Sequence, residues 1–377
     1  MRITEIRASG LRGATPEGGW SNELEADDSV HTLVAVHTDA GLVGLGSCFT
    51  SAALVHAALE ELRPLCVGET ALEPERLSEK LHQTTFWMGR GGAITHAISG
   101  IDLALWDLLG KATGQPVGRL LGGRYRDEVR PYASLLMKEP DALASELVQL
   151  SEQGWSAFKI GWGPFGRVDA ALDRAIVSAA REAVGPSALL MVDAGGSDAF
   201  FPGDLRWAIA TAKMLGEYDV AWFEEPLQPD ALQDFVTLRD RSPVPIAGGE
   251  VLTRRQSFSP WLTAGAFDIV QPDVTKVGGL SDQRRIGLQA EDLGVRLVPH
   301  GWNTAIGLAA DLQLASALPR TNLVEYLVGS AYVDDLARHP WVINQSGMLR
   351  IPDEPGLGIA LDPDALRRFA VDPDFAA

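Results

Sequence analysis

The chain has 377 residues, 46% hydrophobic and 22% charged, enough apolar residues for a core larger than one ordinary domain needs. Thirty-two Lys and Arg against 50 Asp and Glu leave a formal net charge of −18, which argues against nucleic acid or an anionic membrane surface as partner. Two cysteines, Cys48 and Cys66, are too few for a disulfide framework or a cysteine zinc site and predict buried thiols in a reducing cytoplasm. The opening MRITEIRASGLRG lacks the apolar run of a secretory signal, and no stretch of about 18 apolar residues follows, so neither export nor a membrane span is expected. Ile3 to Ile6 alternates as a strand, Val30 to His37 is a stronger β-rich run, and Asp39 to Gly44 supplies a turn and a return strand. Leu54 to Leu65 and Ala97 to Leu109 carry apolar residues at helical spacing. The breaker-rich Gly114 to Gly123 reads as a boundary, so residues 1–125 are expected to form an α+β unit.

From Val129 the texture changes. Eight short apolar runs (RPYASLL, SAFKIG, ALLMVDA, VAWFEEP, PVPIAGGE, FDIVQPD, VRLVPHG and NLVEYLV) alternate with helical patterns. Each repeat is about one βα unit long, and eight of them predict a TIM-type barrel over residues 126–346. The Asp- and Pro-rich segment 347–377 is expected to pack back on the first unit.

In such a barrel the chemistry sits where the strands end. Asp193 closes LLMVD, Glu224 closes VAWFE and Glu250 closes PIAGGE, at spacings of 31 and 26 residues. Three like charges aimed at one mouth repel unless a cation lies among them, and all-oxygen donors select Mg²⁺. The alternative for each acid alone is a cap on the following helix. Asp273 closes IVQPD and His300 closes LVPH, 27 residues later, so a carboxylate can orient an imidazole on the next strand. Glu325 lies in LVEYL. In AFKIG, Lys159 shares a face with Ala157 and Gly161, which predicts that it points into the barrel.

This constellation resembles the enolase superfamily, and within it the mandelate racemase subgroup. The likeness runs through GIDLALWDLLGKATGQPVGRLLGG, VDAG, FEEP, AGGE, QPDVTKVGG and PHGWNTAIG, over essentially the whole chain. It implies an α/β fold, a modified (β/α)7β-like TIM barrel with an N-terminal α+β capping domain. It also implies Mg²⁺ on Asp193, Glu224 and Glu250, an Asp273–His300 acid–base pair, and Glu325 as a hydrogen-bonding acid for the substrate carboxylate. Loops around Gly18 to Leu24 and Phe49 to Ala53 match the family's mobile loops, so Trp20 and Phe49 are candidate substrate contacts or else surface aromatics. Trp302 and Asn303, just after His300, are further candidate substrate contacts, and Arg90 in WMGRGG is a candidate clamp for a distal carboxylate or a solvated side chain.

Two departures bear on the reaction. The subgroup usually carries Lys-x-Lys on the second strand, and here Lys159 falls on the first lysine and Gly161 on the second, unless the register shifts. Gly195 stands where the family often has Asn. A single base fits dehydration of a sugar acid (an aldonate or aldarate), with Lys159 as an electrostatic partner; a racemase or epimerase, a lactone cycloisomerase and a non-catalytic metal-binding barrel are the alternatives. Homo-oligomerisation is expected from the resemblance.

Overall fold

The computed structural model describes residues 1–13, 29–198 and 201–377. Strands β1 (Ile3–Gly10), β2 (His31–Thr38) and β3 (Val43–Phe49) form an antiparallel meander in the order β1-β2-β3. Helices α1 (Ala52–Cys66), α2 (Pro74–Thr84), α3 (Ala93–Thr113) and α4 (Val117–Leu120) follow. Alternation along β2 explains why nearly all of it is buried. Val34 and Val36 join Cys48, Leu59, Leu62, Ile98 and Ile101 in the cap's own core. Leu33 and Ala35, on the other face, belong with Leu45, Leu103 and Trp106 to a larger core continuous with the second unit. Both cysteines are free and buried. Helix α2, PERLSEKLHQT, lies outside the expected elements because only a narrow stripe of it is buried, Leu77 and Leu81 above all.

The second unit alternates strand and helix: β4 (Glu128–Leu136), α5 (Pro140–Glu152), β5 (Ala157–Gly161), α6 (Ala170–Val184), β6 (Leu189–Asp193), α7 (Leu205–Gly216), β7 (Phe223–Glu224) and α8 (Leu232–Arg241). It continues with β8 (Ile246–Gly248), α9 (Arg255–Ala264), β9 (Ile269–Val270), α10 (Gly279–Asp292), β10 (Arg296–Leu297), α11 (Ala305–Ala317), β11 (Leu323–Leu327) and α12 (Ala331–Asp334). All eight expected runs are strands, parallel and in the order β10-β9-β8-β7-β6-β5-β4-β11. The two ends of that path approach each other where Thr321 Oγ1 donates to the Leu297 carbonyl at 3.1 Å. Four-residue α12 replaces a full eighth helix, which gives the (β/α)7β architecture.

The chain finishes with β12 (Leu349–Arg350), antiparallel to β4, and α13 (Pro363–Phe369). The Arg12 amide donates to the Phe369 carbonyl at 2.9 Å and the Val371 amide to the Gly10 carbonyl at 3.0 Å, so the tail touches both units. Among the described residues, no helix is long and apolar enough to cross a membrane.

Candidate active site

One inward residue from each barrel strand forms an apolar floor: Tyr132, Ala157, Met191, Trp222, Ala247, Ile269, Val298 and Leu323. The side-chain period of a strand is two, so the next inward layer falls two residues further on. There the sequence turns polar, with Ser134, Lys159, Asp193, Glu224, Gln271, His300 and Glu325. On β8 that position is Gly249, whose backbone at φ 112° turns the chain in the left-handed region and presents Glu250 in its place. One apolar layer thus supports one layer of charge, at the C-terminal end of the barrel.

Oxygen atoms of Asp193, Glu224 and Glu250 lie within 4.8 Å of one another, and all three residues are buried. Burial, together with Glu224, pushes the Asp193 carboxyl well above its ordinary range. Lys159 supplies the compensating charge. Its Nζ is 2.5 Å from Glu224 Oε1, 2.8 Å from Glu325 Oε1 and 3.7 Å from Asp193 Oδ2. Burial alone would deprotonate this lysine, but Glu224 and Glu325 outweigh it and hold the ammonium well above its usual range. In turn Lys159 overcomes burial at Glu325 and brings that carboxyl down to about 2. The other oxygen of Glu224 accepts from Trp222 Nε1 at 2.8 Å and Gln271 Nε2 at 2.7 Å. Three hard oxygen donors, with Glu224 and Asp193 also fixed by neighbouring N–H groups, suit a divalent cation of the Mg²⁺ or Ca²⁺ kind rather than a soft metal.

Beside the triad, His300 Nδ1 lies 2.7 Å from Asp273 Oδ2, and Nε2 lies 3.3 Å from Glu250 Oε2. Asp273 Oδ1 accepts from the Thr275 amide at 2.7 Å and its hydroxyl at 2.5 Å. Burial would raise the Asp273 carboxyl, but the His300 hydrogen bond and the Lys276 charge bring it down to about 2. Burial likewise opposes charge on His300, yet Glu250 and Asp273 carry the imidazole up to about 9. Asp273 therefore stays anionic and holds the Nδ1 proton, leaving Nε2 to face the triad. The Gly301 amide donates to Glu325 Oε2 at 2.6 Å, tying the last strand to the loop that carries His300. Non-glycine residues in the left-handed region stand directly after two of the strands, Trp162 (φ 61°) and Glu225 (φ 41°), so backbone strain is concentrated at this mouth.

A profile described as enolase C-terminal domain-like matches residues 142–365, and one described as the mandelate racemase/muconate lactonizing enzyme N-terminal domain matches residues 26–122. The chain belongs to the mandelate racemase/muconate lactonizing enzyme family. D-galactarolactone cycloisomerase of Agrobacterium fabrum is 34% identical, over 99% of this chain and 100% of its own. D-xylonate dehydratase of Haloferax volcanii is 35% identical, over 90% of this chain and 85% of its own. The crystal structure of 3,6-anhydro-D-galactonate cycloisomerase from Zobellia galactanivorans superposes with a TM-score of 0.88 at 29% identity, over 99% of this chain and 100% of that one.

Within this family member, the structure gathers Lys159, Asp193, Glu224, Glu250, Asp273, His300 and Glu325 at one mouth. Asn303 joins them through Thr275, whose Oγ1 lies 3.0 Å from the Asn303 side-chain amide. Phe49 reaches over from the cap, where the Lys276 ammonium lies 4.1 Å from its ring centroid. Trp302 is half-buried against the cluster that holds Val129, Leu308 and Tyr326. Arg90 is exposed, its guanidinium 5.2 Å from the Phe86 ring centroid. Trp20 and the loop from Gly18 to Leu24 lie outside the described residues. At Gly195 a side chain would strike the Trp162 ring, since an added Cβ would lie 2.7 Å from it, and its backbone has φ 61°. Residues not anticipated are Gln271, Thr275 and Lys276. Gln271 was accessible by the period of two from Ile269, and the other two lie inside QPDVTKVGG.

Proposed function

We propose that the protein is a Mg²⁺-dependent sugar-acid dehydratase that converts an aldonate or aldarate to a 2-keto-3-deoxy acid. The observation that carries the reading is the single Asp273–His300 pair beside the acidic triad, His300 Nε2 being 3.3 Å from Glu250. Asp193, Glu224 and Glu250 would hold Mg²⁺, which when bound supplies positive charge to the substrate carboxylate and so makes the α-hydrogen acidic. Glu250 does most to keep His300 protonated; once Mg²⁺ offsets that carboxylate, His300 would be neutral and would take the α-proton at Nε2, while Asp273 holds the Nδ1 proton and balances the imidazolium. Lys159, kept cationic by its acidic neighbours, faces the charge that develops on the carboxylate oxygens. Glu325 orients Lys159 and offers a hydrogen-bond acceptor to the substrate. The imidazolium then returns its proton to the departing C3 hydroxyl as water, and the enol left behind tautomerises to the keto acid. Gly161 carries no side chain, and Lys159 on the same strand is held as an ammonium by Glu224 and Glu325, in keeping with a one-base reaction rather than racemisation.

The same reading takes residues 1–125 as the capping domain that sets selectivity, 126–346 as the catalytic barrel and 347–377 as the segment closing back on the cap, in a cytoplasmic homo-oligomer. A cycloisomerase is the second reading. It is favoured by the relative and the solved structure that each cover 99% of this chain, both named cycloisomerases. Incubation with Mg²⁺ and a panel of sugar acids and their lactones in D₂O tests the proposal. Keto acid from one or a few acids, abolished in His300→Asn, is the expected result. Keto acid formed from a lactone without loss of water, and none from the open-chain acids, would replace the dehydratase reading by the second one.

A further inference from the structure

Among the described residues, Lys276 is a buried cation whose ammonium has no hydrogen-bond partner. Its side chain is 8% exposed, and the nearest carboxylate oxygen, Asp273 Oδ2, is 4.0 Å away, beyond hydrogen-bond reach. Its close neighbour is the Phe49 ring, at 4.1 Å, a cation–π distance. The two contacts point in different directions. Asp273 is the acid that orients His300, whereas Phe49 ends β3 in the cap. The Phe49 amide donates to the Thr275 carbonyl at 3.4 Å, and His31 packs edge-on against the Phe49 ring with centroids 5.1 Å apart. A single turn, closed by the Lys276 and Val277 amides on the Asp273 carbonyl at 3.1 and 2.9 Å, therefore carries both the dyad acid and the group that grips the cap.

The distances also fit a charge that acts without competing. Asp273 Oδ2 is already bonded by His300 Nδ1 at 2.7 Å, and Oδ1 by Thr275. An ammonium at hydrogen-bond distance would draw Oδ2 off the imidazole. At 4.0 Å it favours the carboxylate and leaves that bond intact.

We propose that Lys276 is a positioning residue that couples the seating of the cap, through Phe49, to the alignment of the Asp273–His300 pair. The inference rests on the reading of that pair as the reacting dyad, so its test includes a signal that needs no substrate. In the full-length Mg²⁺-loaded protein, the His300 Nδ1–H···Asp273 hydrogen bond should give a far-downfield proton resonance, identified by its loss in His300→Asn. Lys276→Met should shift and broaden it, Lys276→Arg should largely preserve it, and Phe49→Leu should move it in the same direction as Lys276→Met. The double variant should be no worse than Lys276→Met alone, because both substitutions break one coupling. In turnover, Lys276→Met should lower kcat on the order of 100-fold for every acid accepted, with KM little changed. A resonance untouched by Lys276→Met, or effects at 49 and 276 that simply add, would overturn the coupling. So would a KM rise confined to acids with a second charge, which would make Lys276 a substrate ligand. Should Lys276→Met not fold, the Arg and Phe49→Leu variants decide the matter. A Lys276-dependent resonance in a protein that dehydrates no sugar acid would support the coupling and count against the dehydratase reading alone.

Discussion

Lys159 stands where a metal-binding site meets its internal counter-ion. Its ammonium shares Glu224 and Glu325 in a layer that also holds Asp193, with no water-exposed route for relief. Removing one partner of such a buried set leaves uncompensated charge, at a cost of about 3–5 kcal/mol. Metal-free Lys159→Met should therefore unfold at clearly lower denaturant than the metal-free wild type. Mg²⁺ should restore more stability to the variant than to the wild type, because the metal then takes the place of the lost ammonium among the three acids. Denaturant titrations in EDTA and in Mg²⁺ read this directly, and equal Mg²⁺ gains in both proteins would show that ammonium and metal do not share these carboxylates. The positions of this lysine and of the acids were legible in the sequence because each ends an apolar run, where a barrel strand meets its mouth. Gln271 followed only from the period of two once Ile269 faces inward, and Lys276 was not legible at all, because an ammonium parked over an aromatic ring leaves no pattern of charge spacing. For Arg90 the glycine-rich turn left a clamp and a solvated side chain equally open, and the fold places it exposed beside Phe86.

At the scale of elements, the barrel strands could be read from eight apolar runs at βα spacing, because strands buried on both faces must be apolar throughout. The cap was less legible. Helix α3 begins at Ala93, four residues before its strongest apolar periodicity, and ends where Gly114 takes φ 65°. Its contact with β3 depends on what is missing from the sequence rather than on what is present. A Cβ added at Gly46 would lie 1.9 Å from the Gly100 carbonyl oxygen, and one at Gly44 would lie 2.0 Å from that of Ala104. Strand and helix are packed backbone to backbone, and neither obstacle is a side chain that can swing away. Gly46→Ala must push β3 off α3 and should cost at least about 3 kcal/mol, at the upper end for overpacking a core. Gly41 is the control. It has φ 73° and open space around its Cβ position, so Gly41→Ala carries only left-handed strain, about 1–2 kcal/mol. Urea unfolding of the two variants should separate them in that order, and similar losses would mean that β3 can slide along α3 without penalty.

For the whole molecule, the seam between cap and barrel stores titratable groups of opposite sign. On one side, His31 lies against Phe49 and Tyr332, with Nδ1 lacking a hydrogen-bond partner among the described residues. Burial drives its pKa down to about 4, against a pull upward from Asp273 and with further lowering from Lys276 and His300. On the other, Asp102 of α3 meets α10 through Ser281, whose amide donates to Oδ1 at 3.1 Å and whose hydroxyl donates to Oδ2. Burial drives that carboxyl up to about 8, helped by Asp282 and Glu75 and opposed by the Ser281 bonds. The two act on stability with opposite slopes. Between pH 6.5 and about 4 the unfolded chain protonates His31 and the folded one does not, so this group's contribution falls as the pH drops, by on the order of 3 kcal/mol in all. Between about 3.8 and 8 the folded chain keeps the Asp102 proton that the unfolded one loses, so that contribution falls as the pH rises, by on the order of 5 kcal/mol. In the wild type the two slopes oppose each other across the overlap and partly cancel. Substitution should unmask them. Relative to wild type, His31→Asn should gain stability as the pH is lowered from 6.5 to 4, whereas Asp102→Asn, which keeps the side-chain shape, should gain as it is raised from 4 to 8. Urea titrations at four or five pH values test both, and the sign of each trend is the deciding quantity. Profiles parallel to the wild type would mean that water reaches these groups and that the seam is wetter than its packing implies.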